Sequence, residues 1–203
     1  MRGNYSVINL RSYLDAESPA CMSAADLYAL LSEFSSPKNA DVEHFLHTNA
    51  VEFTKKSQSV TYLVFADDTA ELVGYFSVAV KPLSIRAANI SKTVAKKLSR
   101  VSILDKDDGT FTTSAYLLAQ FGKNYVLQKD RRIAGGNLLE LALSIIDGAK
   151  YTVGGVLEFL ECEDNPFLLN FYTEHGFKPF DTRCTAGDEN TGPHTLHQLL
   201  KFI

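Results

Sequence analysis

Apolar residues recur along this chain in two periods. Three- and four-residue spacing appears at Leu27, Leu30, Leu31 and Phe34, and at Val42, Phe45, Leu46 and Phe53. It returns at Ile90, Val94, Leu98 and Val101, at Leu138, Leu139, Leu141, Ala142, Ile145 and Ile146, and at Leu168, Phe171, Tyr172 and His175. That period predicts amphipathic helices. Alternating or continuous apolar runs at residues 5–10, 60–65, 71–80, 114–121, 156–161, 177–180 and 195–203 predict strands. Turn residues at 66–70 join two of these runs into an antiparallel hairpin, and Ser23 with Asp26 is placed to cap the first long helix. Residues 35–38 break that helix, and residues 181–193 read as a polar hairpin loop. The element order is β-α-α-β-β-α-β-α-β-α-β-β.

The most sharply punctuated stretch is residues 160–177. Asn165 fits an N-cap, its side chain accepting a bond from a backbone N–H at the helix start. Pro166 fits the first helical position, where its missing donor costs nothing. Gly176 fits the left-handed residue past the helix end. This run resembles the strand–helix–strand signature near the end of GNAT-type acetyltransferases, roughly Leu-Glu-Val-x-x-x-Asn-x-x-Ala-x-x-Phe-Tyr-x-x-x-Gly-Phe. Asn165, Phe171, Tyr172, Gly176 and Phe177 fall in register, and Leu169 replaces the small residue.

A strand, a glycine-bearing loop and a helix follow one another at residues 114–146. At such a junction the first amides of the helix point outward and the helix dipole favours an anion. Arg131 and Arg132 are placed to add charge-assisted contacts. The loop resembles the GNAT pyrophosphate loop, Gln/Arg-x-x-Gly-x-Gly/Ala, in a degenerate form. In one register Gly135 takes the last small position while Ile133 and Asp130 depart from the pattern. In the other, Arg132 and Gly135 match and Asn137 departs.

The resemblance implies a GNAT-like α/β fold: a mixed, mostly antiparallel sheet of about six or seven strands flanked by helices. Two parallel central strands, near residues 115–121 and 156–161, would part in a V. It implies acetyl-CoA as cosubstrate, its pantetheine arm lying along Leu117, Leu118, Ala119 and Phe121. The pyrophosphate would meet Arg131, Arg132, Gly135, Gly136 and Asn137, and Asn165 would bond the arm or simply cap its helix. An amine attacks the thioester directly, and Tyr172 aligns with the family's tyrosine that protonates the departing thiolate; otherwise Tyr172 is a core tyrosine. Glu161 and Glu163 are either a base acting directly or through water, or ordinary surface carboxylates. Within the family, the compact form and the late Phe-Tyr-x-x-x-Gly-Phe helix resemble GNAT toxins that acetylate aminoacyl-tRNA. A different class of reading is a GNAT-like module that binds an acyl-CoA or a partner protein without turnover.

Charge and cysteine usage narrow these readings. The formal charge of −4 argues against a basic footprint over the whole molecule and leaves tRNA a local basic groove at most. Residues 84–110 form the atypical segment of an expected single domain spanning 1–203. There Lys92, Lys96, Lys97 and Arg100 surround the apolar stripe, as a solvated face, a lid, or a patch meeting an acidic partner. No apolar run approaches the roughly 18 residues of a membrane span. The N-terminus lacks an apolar signal core, and three widely spaced cysteines suggest reduced thiols, so the expected location is cytoplasmic. No histidine spacing points to a metal. The exposed end of the last strand offers pairing between two copies, a homodimer.

Overall fold

Alternation of apolar and polar positions resolves into seven strands: β1 (Tyr5–Asn9), β2 (Val60–Ala66), β3 (Leu72–Arg86), β4 (Thr110–Lys123), β5 (Leu157–Glu163), β6 (Lys178–Thr185) and β7 (His194–Phe202). The computed structural model describes residues 4–185 and 194–203. The helices are α1 (Arg11–Leu14), α2 (Ala24–Leu31), α3 (Ala40–His44), α4 (Ala50–Lys55), α5 (Lys92–Leu98), α6 (Gly135–Val153) and α7 (Pro166–Glu174). A π-helical turn, Phe45–Asn49, joins α3 to α4. The sheet has the order β1-β2-β3-β4-β5-β7-β6 and is mostly antiparallel, with β4 and β5 as its parallel pair. The chain divides into two compact units, one of residues 1–79 and 118–148, the other of residues 80–117 and 149–203.

In the first unit, β1 and β2 pair antiparallel from Tyr5↔Ala66 to Asn9↔Tyr62, and β2 pairs with β3 from Val60↔Val78 to Phe65↔Leu72. Leu27, Leu31, Phe34, Val42, Phe45, Leu46, Leu63, Leu72 and Tyr75 form the core. Ser23 caps α2, its Oγ accepting from the Asp26 amide at 3.1 Å. The fully buried Tyr75 donates its hydroxyl to the Val42 carbonyl at 2.5 Å, which is where the α ladder gives way to the π turn. A side chain that competes for a helix carbonyl is a common origin of such irregularities.

Close approach of α3 to the sheet depends on Gly122. A Cβ there would sit 2.6 Å from Val42 Cγ1 and 3.4 Å from Phe34 Cζ. Gly122→Ala is therefore expected to cost about 1–3 kcal/mol through overpacking. At roughly 2–4 °C per kcal/mol for a chain of this size, a thermal melt checks it. An unchanged melting temperature would show that α3 does not approach the strand so closely.

In the second unit, β7 pairs with β5 on one side (Leu157↔Phe202 to Glu163↔Leu196) and with β6 on the other (Lys178↔Leu200 to Thr185↔His194). Leu83, Ile85, Leu98, Phe111, Ala115, Leu157, Phe159, Phe180 and Leu200 form its core, and Ile90, Val94 and Ala95 pack against it. Tyr116 donates its hydroxyl to the Gly154 carbonyl. A Cβ at Gly155, which has φ 113°, would strike the Tyr116 ring at 2.6 Å.

Several expectations are corrected. β7 is an inner strand with ladder partners on both sides, and the edges of the sheet are β1 and β6. β3 does not end near Val80 but runs to Arg86, because Leu83 and Ile85 are buried while Ser84 and Arg86 face out. The atypical segment thus begins with strand, and its helix is only seven residues long, with Val101 beyond its end and 45 % exposed. Phe53, placed inward by spacing, is 37 % exposed and meets Phe45 edge-on. Residues 181–185 of the expected loop are strand, and residues 186–193 lie outside the described residues.

Candidate functional site

The phosphate-loop residues belong to the first unit. After β4, Asn124 leads into a 3-10 turn, Val126–Arg131, and then α6. Several bonds hold this loop. Lys123 Nζ donates to the Asp130 carbonyl at 2.8 Å, Tyr5 donates to the Arg132 carbonyl at 2.7 Å, and the Tyr125 amide donates to the Ser35 carbonyl at 2.8 Å. Ile133, which stands where the family has a glycine, is buried in the core. The Leu138 amide bonds the Ala134 carbonyl at 3.1 Å. The amides of Gly135, Gly136 and Asn137 therefore precede the first intrahelical bond, as the opening amides of any helix do. Their residues are half-buried, and the first turn of this 19-residue helix contains no acidic side chain. An unneutralised helix start with three outward amides suits a pyrophosphate.

The two arginines differ. Arg132 turns to the β2–β3 turn, pairing with Asp68 and donating to Thr69 Oγ1 at 3.2 Å, with Glu71 Oε2 4.0 Å away. Arg131 is exposed. Of the β4 residues expected along the pantetheine arm, Leu118, Ala119 and Phe121 fall in this unit, Leu118 buried and the other two half-buried. Leu117 falls in the second unit.

The second unit holds β5 and α7. Asn165 caps α7, its side chain accepting from the Phe167 amide at 2.9 Å, and Pro166 opens the helix. Gly176 ends it with φ 89°. The same helix places Tyr172 in a buried aromatic group, its ring 5.0 Å from Phe171 and 6.0 Å from Phe177. Burial pushes the Tyr172 phenol well above its usual range, and Cys162 adds to the shift. The hydroxyl is therefore held in its protonated, proton-donating form.

Both carboxylate oxygens of Glu161 are engaged. Its Oε1 accepts from Arg183 Nε at 2.7 Å and from Gln198 Nε2 at 2.7 Å, and its Oε2 accepts from Arg183 at 2.6 Å. Such a bidentate, charge-assisted arrangement occupies both oxygens. Glu163 is exposed. Sequence reasoning missed Glu158, a buried carboxylate in the otherwise apolar start of β5, which faces Lys201 Nζ across the β5–β7 ladder at 2.9 Å. A charge inside that apolar run was the available signal.

The Cys162 thiol is buried and pushed up to about 11, by burial first and then by Glu163 and Asp164. A thiol so shifted is a poor nucleophile near neutral pH. In the native protein at pH 8, iodoacetamide is expected to modify the exposed Cys21 and Cys184 and to spare Cys162, with three adducts only after unfolding. Intact mass reads the number of adducts, and a third adduct on the native protein would contradict the burial. Among the described residues, no group of three or more His, Cys, Asp or Glu could hold a metal ion. No helix among them is long and apolar enough to cross a membrane.

Neither a family model nor a curated protein sequence matches this chain. Solved structures do. AtaT complexed with acetyl-methionyl-tRNAfMet matches with a TM-score of 0.62 at 17 % identity, over 98 % of this chain and 94 % of that one. A tyrosine-to-phenylalanine variant of KacT matches at 0.60 and 17 % identity, over 95 % and 94 %. AtaTR bound with acetyl-CoA matches at 0.54 and 16 % identity, over 97 % and 94 %. With its seven-stranded sheet, the β4–β5 parallel pair and this agreement over nearly the full length, the chain has the GNAT acetyltransferase fold.

Proposed function

We propose that this protein is an acetyl-CoA-dependent N-acetyltransferase whose acceptor is the α-amino group of an aminoacyl-tRNA. The observation that carries the proposal is the match over 98 % of the chain to AtaT holding an acetylated aminoacyl-tRNA. Amides at Gly135, Gly136 and Asn137, with Arg131, would bind the pyrophosphate. Backbone groups from Leu117 to Phe121 would bind the pantetheine arm and polarise the thioester carbonyl, and Asn165 caps α7 whether or not its amide also meets the arm. The amine attacks the carbonyl, an N–C bond forms as the C–S bond breaks, Tyr172 protonates the thiolate, and the ammonium proton passes through water back to the Tyr172 phenolate.

The occupied Glu161 carboxylate favours an α-amine. An α-amino group titrates near 8 and is already partly neutral at pH 7, whereas a lysine near 10.4 needs a base. Such a reaction belongs in the cytoplasm. A proteinaceous inhibitor fits the same reading, since AtaT is found bound to the C-terminus of the antitoxin AtaR. A second copy would pair through the edge of β6.

Incubation with acetyl-CoA and mixed aminoacyl-tRNA, followed by thiol titration and mass analysis of released aminoacyl groups, tests the proposal. N-acetylated aminoacyl groups in step with free thiol are expected. Acetylation of peptide or polyamine amines but of no aminoacyl-tRNA would refute the acceptor. Acetyl-CoA binding without transfer to any amine would instead leave a non-catalytic module. The arginines give a separate expectation. Arg131→Ala should weaken acetyl-CoA binding about tenfold or more, as one lost charge-assisted contact does. Arg132→Ala, whose guanidinium is engaged by Asp68, should change it less than twofold. Titration calorimetry on both variants decides, and the reverse order would move the phosphate contact to Arg132.

A further inference from the structure

Residues 72–104 contain no aspartate or glutamate, in a chain whose acidic residues outnumber its basic ones by 24 to 20. The same segment carries Lys81, Arg86, Lys92, Lys96, Lys97 and Arg100. All six lie in the second unit. The structure turns this charge segregation into a surface. Ser91 caps α5, its Oγ accepting from the Val94 amide at 3.3 Å. Ile90, Val94, Ala95 and Leu98 anchor the apolar face of the segment on the unit's own core. That leaves Lys92, Lys96, Lys97 and Arg100 exposed. Arg86 is paired with Asp181 at 3.4 Å, and the Lys97 ammonium lies over the Phe202 ring at 4.9 Å. Lys92, Lys96 and Arg100 have no ion-pair partner among the described residues.

Lys92 and Lys96, about 6 Å apart in rise along α5, repel one another, with Arg100 just past the helix end, and are relieved by a ligand with closely repeated negative charge. A nucleic-acid strand offers one phosphate per roughly 3.4 Å of axis. The overall negative charge of the protein works against any diffuse attraction of RNA, so contact must be concentrated where the sign reverses. An acidic peptide suits the face less well. The apolar side of α5 is already buried, and the nearby exposed Val101 and Ile103 line a cavity whose other walls include Asp105 and Asp108. We propose that the exposed face formed by Lys92, Lys96 and Arg100 is where the phosphate backbone of the acceptor RNA docks. This rests on the aminoacyl-tRNA reading and adds to it the place of contact.

The test compares wild type with the Lys92→Glu, Lys96→Glu, Arg100→Glu triple variant on two acceptors, aminoacyl-tRNA and the methyl ester of the same amino acid. For the RNA acceptor, KM should rise about tenfold or more at roughly 0.1 M salt, with kcat within about twofold. The log–log salt slope should become shallower by about 2–3 units, as expected for three lost phosphate contacts. Ester acetylation should be unchanged, because the ester carries no phosphate. If the glutamate variant loses ester activity as well, the corresponding glutamine variant is read by the same criteria. Unchanged RNA KM and salt slope in an enzyme that acetylates aminoacyl-tRNA would overturn this docking face alone. So would loss of binding to an acidic peptide with RNA kinetics intact. A wild type that acetylates the ester or other amines but no aminoacyl-tRNA would overturn the acceptor assignment first, and the docking face with it.

Discussion

Tyr172→Phe is expected to lower kcat by roughly 10²–10⁴-fold, the range that a positioned general acid contributes, while acetyl-CoA affinity stays within about twofold. The substitution removes one hydroxyl and keeps the ring that packs against Phe171 and Phe177. The Asn165 cap, Pro166 and Gly176 continue to set the helix, so the fold is retained. The sign of the phenol's shift matters. Burial raises it, so the group stays protonated through neutral and mildly alkaline pH and loses no donor capacity there. The rate should therefore rise with pH as the acceptor amine deprotonates, and show no alkaline decline from Tyr172 up to about pH 10. A Phe variant with unchanged kcat and a lowered melting temperature would make Tyr172 a core residue only.

The largest expected stability effect lies at Asn124. Its side chain is buried and makes four bonds. Nδ2 donates to the Glu33 carbonyl at 2.9 Å and to the Leu72 carbonyl at 2.8 Å, and Oδ1 accepts from the Ser35 and Val126 amides at 3.1 Å each. One amide thus joins the end of α2, the start of β3 and the loop that leads to the Gly135–Asn137 amides. Alanine would strand several of these backbone groups away from water, each at about 1–3 kcal/mol where no water replaces the partner. Asn124→Ala should cost about 3–4 kcal/mol, a fall in melting temperature of roughly 6–16 °C. Asn124→Asp separates bonding from volume. It keeps the size but places an oxygen against two carbonyls, so it too should be strongly destabilising. A loss below about 1 kcal/mol for both variants would show that the amide does not hold these segments together.

What could be read from the sequence is local. The cap, the helix-opening proline and the left-handed glycine of α7 act within one helix, and each was visible at Asn165, Pro166 and Gly176. The β2–β3 hairpin and the Ser23 cap are equally local. What escaped depends on partners distant in the chain. The outer half of β3 was hidden because Lys81 and Pro82 interrupt the alternation that Leu83 and Ile85 resume. The Tyr75 hydroxyl that bonds Val42, just before the π turn, comes from a strand well downstream. The place of β7 between β5 and β6 is decided by sheet pairing, which no pattern inside β7 specifies. Site chemistry divides in the same way. The buried place of Tyr172 on α7 and the helix start at Gly135–Asn137 were legible, whereas Asp68 occupying Arg132 and Arg183 occupying Glu161 were not.

Every proposed step depends on the binding of acetyl-CoA. Titration of acetyl-CoA into the purified protein by calorimetry tests it most directly. One site per chain is expected, with Kd in the micromolar range, about −8 kcal/mol. No binding up to millimolar acetyl-CoA would contradict it, leaving the GNAT fold in a protein that uses it for something else.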